Sequence, residues 1–151
     1  MGKLTEVLLQ HSLIGIDTSA FIYQLEDSEK YAGVSNEALN ALAQGAFQGV
    51  TSLLTLMEVT VRPLQLGRVD VADEYEVLIG SYPNLAIAAL DRTAVRRAAE
   101  LRASYRLRPA DALQVAACIE YGATAFITND KGLRRVAELA VLVMDDFVDS
   151  E

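Results

Sequence analysis

Ser12-Leu13-Ile14-Gly15-Ile16-Asp17-Thr18-Ser19 reads as a buried strand that ends on a carboxylate. Residues 13–16 carry no polar side chain, and a short apolar run bounded by polar residues fits a strand covered on both faces. The same pattern returns at Thr124-Ala125-Phe126-Ile127-Thr128-Asn129-Asp130. Two strands therefore deliver an acid at their carboxyl ends. In an open parallel sheet that is the end where ligands bind.

Working outward, short apolar runs alternate with segments of helical period. A helix is expected over about 18–24, with Thr18 or Ser19 as its cap. Ala38, Leu39, Leu42, Ala43 and Ala46 space a helix over about 36–47. A short strand at 49–52 leads into a helix over about 54–66, closed near Gly67. A helix over about 70–80 and a strand at 85–88 follow. Asp91 caps a helix over about 93–105. Pro109 opens a helix over 109–121 that Gly122 stops. A short helix follows Asp130, and a last strand lies near 141–143. The run 26–37 holds four acids (Glu26, Asp27, Glu29, Glu37) and reads as a variable loop. This β-α alternation predicts an α/β fold: a central parallel sheet of four to five strands flanked by helices, in one domain over 1–151.

Composition narrows the function. The chain has 151 residues, 52% of them hydrophobic, which suits one globular domain. One Cys and one His exclude an intramolecular disulfide and a Cys/His zinc site. Cys118 lies in an apolar run and is expected in the core. His11 is expected at the surface. The N-terminal stretch is too short and polar for a signal segment, and no run is long enough to span a membrane. A cytoplasmic protein with no membrane partner is expected. The net charge of −8 is unevenly spread. Residues 92–135 hold nine Lys and Arg against four acids, so the remainder carries −13. A basic segment in an acidic chain is compatible with a nucleic-acid partner or with a solvated helix face.

Four acids stand out, each with an ordinary role open to it. Asp17 and Asp130 can cap the helices that follow them. Glu58 lies three residues after Thr55, the spacing of a capping box. Asp111 lies in a first helical turn, where the dipole favours an anion. Yet Asp17 ends an apolar strand, and burying an unpaired carboxylate costs several kcal/mol. Two acids facing one crevice repel, so one takes a proton or both meet a cation. Hard divalent cations such as Mg²⁺ favour oxygen ligands.

Ile14-Gly15-Ile16-Asp17-Thr18-Ser19 resembles the opening motif of PIN domains. Leu56-Met57-Glu58-Val59, Pro109-Ala110-Asp111-Ala112-Leu113 and Phe126-Ile127-Thr128-Asn129-Asp130 resemble their later acidic motifs, in family order. Size and layout are most similar to VapC-type toxins of toxin–antitoxin pairs. The resemblance implies a PIN-like three-layer fold and an endoribonuclease that uses Mg²⁺ or Mn²⁺. It casts Asp17, Glu58, Asp111 and Asp130 as catalytic metal ligands, with the Thr18, Ser19 and Thr128 hydroxyls supporting them. Arg92, Arg96, Arg108 and Arg134 are candidates for holding the RNA backbone. An antitoxin protein and a second copy of the chain are the implied partners.

Two other readings remain open. One is a PIN scaffold that binds without cutting. The other is a haloacid-dehalogenase-type phosphatase using Asp17, Thr51 or Ser52, Lys131 and Asp145-Asp146. That chemistry wants a second Asp two residues after the first, and Ser19 stands there.

Overall fold

The computed structural model describes residues 2–148. Five parallel strands form one sheet: β1 (Leu13–Ile16), β2 (Gln48–Ser52), β3 (Leu85–Ala88), β4 (Ala125–Thr128) and β5 (Ala140–Val143). Their order is β3-β2-β1-β4-β5. Seven helices cover it: α1 (Lys3–Leu8), α2 (Thr18–Leu25), α3 (Ala32–Ala43), α4 (Leu53–Gln65), α5 (Val69–Gly80), α6 (Arg92–Tyr105) and α7 (Pro109–Tyr121). The expected three-layer α/β architecture is the one observed.

Strand alternation divides the core in two. Ile14, Ile16, Ala125 and Ile127 face a cluster with Leu39 and Leu42 of α3 and Phe21 of α2. Val50 and Phe126 point the other way, into a cluster with α6 and α7. Side chains two apart share a face of a strand, so each apolar run feeds both layers. Gly15 is paired with Phe126 in the β1–β4 register. A Cβ at Gly15 would lie 2.7 Å from the Phe126 ring and 2.9 Å from Cys118 Sγ. The missing side chain lets α7 settle on the sheet. Cys118 is fully buried there, as expected, and burial pushes its thiol pKa up.

The structure departs from the sequence reading in five places. The N-terminal stretch forms α1, whose Leu4 and Leu8 are buried one turn apart. Burying each contributes about 1.5–3 kcal/mol. His11 is half-buried, its Nδ1 2.8 Å from Thr124 Oγ1. Helix α3 begins at Ala32, inside the run read as a loop, and buries Val34 and Ser35. It ends at Ala43 because Gly45 turns the chain at φ +82°, leaving Ala46 outside the helix. The cap of α2 is Asp17 rather than Thr18 or Ser19, and the cap of α4 is Ser52. Thr55 therefore lies within α4, and the capping-box role for Glu58 fails.

Candidate active site

Strand β1 sits between β2 and β4, so the chain's winding reverses there. That reversal opens a crevice at the carboxyl ends of β1 and β4. A cleft of about 730 Å³ occupies it, lined by Asp17, Glu58, Asp111 and Asp130 together with Thr18, Ser19, Tyr23, Arg108, Gln114 and Lys131 among others. The four sequence-selected acids thus come from β1, α4, α7 and the segment after β4 to one space.

Asp17 is the floor of the cleft. Its Oδ1 accepts from the Thr18 backbone N–H at 2.9 Å, and its Oδ2 accepts from the Thr128 hydroxyl at 2.7 Å. Burial pushes its carboxyl up from 3.8 to about 6. The two hydrogen bonds oppose that rise, and the nearby charges of Glu58 and Asp111 add to it. Glu58 Oε1 accepts from the Thr18 hydroxyl at 2.6 Å.

Asp111 and Asp130 form the rim. Arg108 reaches both, with Nε 3.1 Å from Asp111 Oδ2 and a terminal nitrogen 3.6 Å from Asp130 Oδ2. Asp130 Oδ1 also accepts from the Gly132 N–H at 2.9 Å, capping the 3₁₀ turn Lys131–Arg135. Its own N–H donates to Thr128 Oγ1 at 3.1 Å, so one threonine joins floor and rim.

Beneath the acids lies a layer that the sequence reading did not assemble. Seven polar residues are buried among the described residues: Thr18, Ser35, Thr51, Ser52, Thr55, Gln114 and Thr128. All but Ser35 sit under this cleft, linked to one another or to Asp17. Gln114 carried a readable signal: it interrupts the apolar run 112–118 three residues after Asp111, on the same helix face. Ser19 lines the cleft, and its buried Oγ has no hydrogen-bond partner.

Of the four candidate arginines, only Arg108 reaches the cleft. The three-residue link 106–108 turns α6 back alongside α7. Arg97 pairs with Glu120 at 2.8 Å, which sets the first half of α6 beside the end of α7 remote from Asp111. Arg92 and Arg96 lie on that first half, and Arg96 pairs with Glu100. Arg134 pairs with Asp146. A smaller hollow of about 200 Å³ adjoins the rim acids and is lined by Arg106, Arg108 and Arg135. Those three line the hollow beside Asp111 and Asp130.

The sequence matches the family model of the PIN domain over residues 14–139. The chain belongs to the PIN domain family. This PIN domain has no match among curated proteins. Among solved structures it is similar to VapBC2 from Rickettsia felis bound to a DNA fragment from their promoter. There the TM-score is 0.69 at 16% identity, over 87% of this chain and 98% of that one. A toxin–antitoxin complex from Klebsiella pneumoniae gives TM-score 0.64 at 21% identity, over 87% and 97%. FitAcB from Neisseria gonorrhoeae gives 0.63 at 18% identity, over 87% and 97%. At such identities the likeness concerns the fold.

The residues lining this PIN domain's cleft fit a hard divalent cation in kind. They offer carboxylate oxygens and no thiolate or imidazole. The raised Asp17 carboxyl beside two further charges is the electrostatic counterpart of that donor set. Among the described residues, no three acidic, His or Cys side chains are gathered tightly enough to hold an ion as they stand. Arg108 supplies the positive charge at the rim instead. No helix is long and apolar enough to cross a membrane among the described residues.

Proposed function

We propose that this chain is a Mg²⁺- or Mn²⁺-dependent endoribonuclease, the toxin of a VapBC-like toxin–antitoxin pair. One observation carries the reading: Asp17, Glu58, Asp111 and Asp130 converge on one cleft, with the floor acid pushed up to about 6 by burial and neighbouring charge. A structural protein gains nothing from that unfavourable arrangement, whereas catalytic sites commonly hold perturbed groups in clefts.

Asp17, Asp111 and Asp130 would hold the metal, and Glu58 would bind it through water or orient the attacking water. When bound, the metal stabilises charge on the attacking water and on the leaving oxygen of a phosphodiester. The protein's part is positioning. Thr128 and the Thr18 N–H aim the two oxygens of Asp17. Arg108 is 80% exposed and free to turn from the acids to a phosphate. Arg106 and Arg135 extend that positive rim along the RNA backbone. The products would carry a 5′-phosphate and a 3′-hydroxyl.

An antitoxin and a second copy of the chain are the proposed partners, and the protein acts in the cytoplasm. Support comes from the toxin–antitoxin complexes among the similar folds. The exposed apolar side chains Leu53, Met57, Val61 and Leu64 on one face of α4 give such partners a surface.

A second reading, a PIN scaffold that binds without cutting, has one observation in its favour. Arg108 already pairs with both Asp111 and Asp130, and among the described residues no three acids are gathered tightly enough to hold an ion. The phosphatase reading has no such support, since Thr51 and Ser52 are buried and turned into the polar layer.

The test is cleavage of a mixed RNA pool with and without Mg²⁺ or Mn²⁺, wild type beside Asp17→Asn. Metal-dependent cleavage that vanishes in the variant is expected. Intact, partner-free protein that cuts nothing would favour the scaffold.

A further inference from the structure

We infer that Gln114 is a positioning residue, whose buried amide donates into a hydroxyl relay that presents Glu58 and steadies Asp17. The inference rests on the metal-dependent reading above.

Gln114 is 2% exposed. Its Oε1 accepts from the Ser52 hydroxyl. Its Nε2 faces Thr55 Oγ1 at 2.9 Å, Thr51 Oγ1 at 3.4 Å, and both Thr18 Oγ1 and Asp17 Oδ1 at 3.5 Å. The reversed amide would set a carbonyl oxygen against the Asp17 carboxylate, acceptor against acceptor. The NH₂ group therefore points at the acid.

That orientation agrees with the remaining protons, whose direction Glu58 sets. Glu58 Oε1 can only accept, so Thr18 spends its one hydroxyl proton there. Thr18 Oγ1 must then accept from Thr55, 3.0 Å away. Thr55 in turn accepts from Gln114 and from Thr51, the latter at 2.7 Å. Every donor has one direction, running Thr51 to Thr55 to Thr18 to Glu58. The relay fixes Glu58 Oε1 and leaves its second oxygen available to the cleft.

A buried glutamine in this position has a simpler alternative, an apolar side chain of equal length. Buried polar networks are costly unless every member is satisfied. This one terminates on two cleft acids, which is what a positioning layer requires and a packing layer does not.

The test compares Gln114→Met with Leu8→Ala by calorimetric titration of MnCl₂, alongside thermal unfolding and the kcat and KM for RNA. Leu8 is fully buried in α1 and lines neither the cleft nor the polar layer. Both variants should lose stability. Gln114→Met should weaken Mn²⁺ binding by about 10–100-fold, the range for residues that orient metal ligands. It should lower kcat more than it raises KM. Leu8→Ala should leave Mn²⁺ affinity unchanged. Equal Mn²⁺ affinity in wild type and folded Gln114→Met overturns the inference, as does a loss that tracks stability in both variants. If Gln114→Met does not fold, Gln114→Asn takes its place, since it keeps a buried amide but draws the NH₂ back from Thr55 and Asp17. Weaker Mn²⁺ binding is expected there, and unchanged binding overturns the inference. Wild type that takes up no Mn²⁺ overturns the metal-dependent reading itself, and this inference with it.

Discussion

Asp17 and Asp111 face the same cleft from opposite kinds of support. Asp17 ends a buried strand and is held by a backbone N–H and the fully buried Thr128 hydroxyl. Asp111 stands on the first turn of α7, paired with an arginine that is 80% exposed. Groups held by buried hydrogen bonds keep their geometry without a ligand, at the cost of desolvation. Exposed ion pairs contribute about 0–1 kcal/mol and exchange readily. The floor is thus fixed and electrostatically uncomfortable, whereas the rim is adaptable and already partly neutralised. A cleft built this way holds its central acid ready and lets the outer ones adjust to what arrives.

The largest effect that would break this comparison is expected at Asp17. Its folded pKa lies above the ordinary value, about 6 against 3.8. The stability tied to its neutral form is complete below pH 3.8 and is lost as pH rises through about 6. Two pKa units correspond to about 3 kcal/mol as an upper bound. Asp17→Asn should therefore abolish metal-dependent cleavage while raising the melting temperature of the metal-free protein at neutral pH. It should also flatten the fall in stability between pH 4 and pH 6. Thermal unfolding in chelator across that range checks it. A variant less stable than wild type at pH 7 would show that the floor is not strained. Asp145 works in a lower window. Hydrogen bonds from Lys131 and Tyr31 hold its carboxyl down to about 2, so its stabilisation is present above pH 3.8 and lost as pH falls toward 2.

A second test falls on the joint between floor and rim. Thr128 donates to Asp17 and accepts from the Asp130 N–H. Thr128→Val removes both contacts with little change of shape. The Asp17 carboxyl should rise further, because a hydrogen bond that favoured its charged form is gone. Metal affinity should fall by about 10–100-fold, and stability by about 1 kcal/mol. Thr128→Ser should restore both. NMR titration of the Asp17 carboxyl, with calorimetry for the metal, separates this from general loosening.

The fold was legible because strand and helix periods differ. Ile14-Gly15-Ile16 and Ala125-Phe126-Ile127 could only be buried strands, and their parallel pairing follows from the helices between them. The four acids were legible for a related reason: two of them end apolar runs where charge is out of place. The layer beneath was harder to see. Thr51, Ser52 and Thr55 carry no mark of such a layer in sequence, since threonine and serine occur at caps and strand ends everywhere. Their significance comes from meeting Thr18 across three elements, which no local pattern records. Helix α1 was hidden by its brevity, and the start of α3 by the acids before it. The arginines misled because charge was summed along the chain. Helix α6 returns alongside α7, carrying Arg92 and Arg96 away from the cleft while Arg106 and Arg108 stay beside it.

That division gives the smallest effects and the sharpest control. Arg108→Gln removes the cation from the rim but leaves Asp17 and its buried partners untouched. Stability should shift by no more than about 1 kcal/mol, as for other exposed pairs. Mn²⁺ should bind more tightly, since Asp111 and Asp130 lose the arginine that competes for them. Binding of single-stranded RNA to the metal-free Asp17→Asn protein should weaken. The slope of log affinity against log salt should become shallower by about 0.7, the value for one phosphate contact on a single strand. Arg96→Gln, made in the same background, should change neither the metal affinity nor the salt slope, because Arg96 is paired with Glu100 on the far half of α6. Matching salt slopes for the two variants would mean that the whole basic stretch acts as a diffuse field. A difference confined to Arg108 would place the RNA backbone at the adaptable rim.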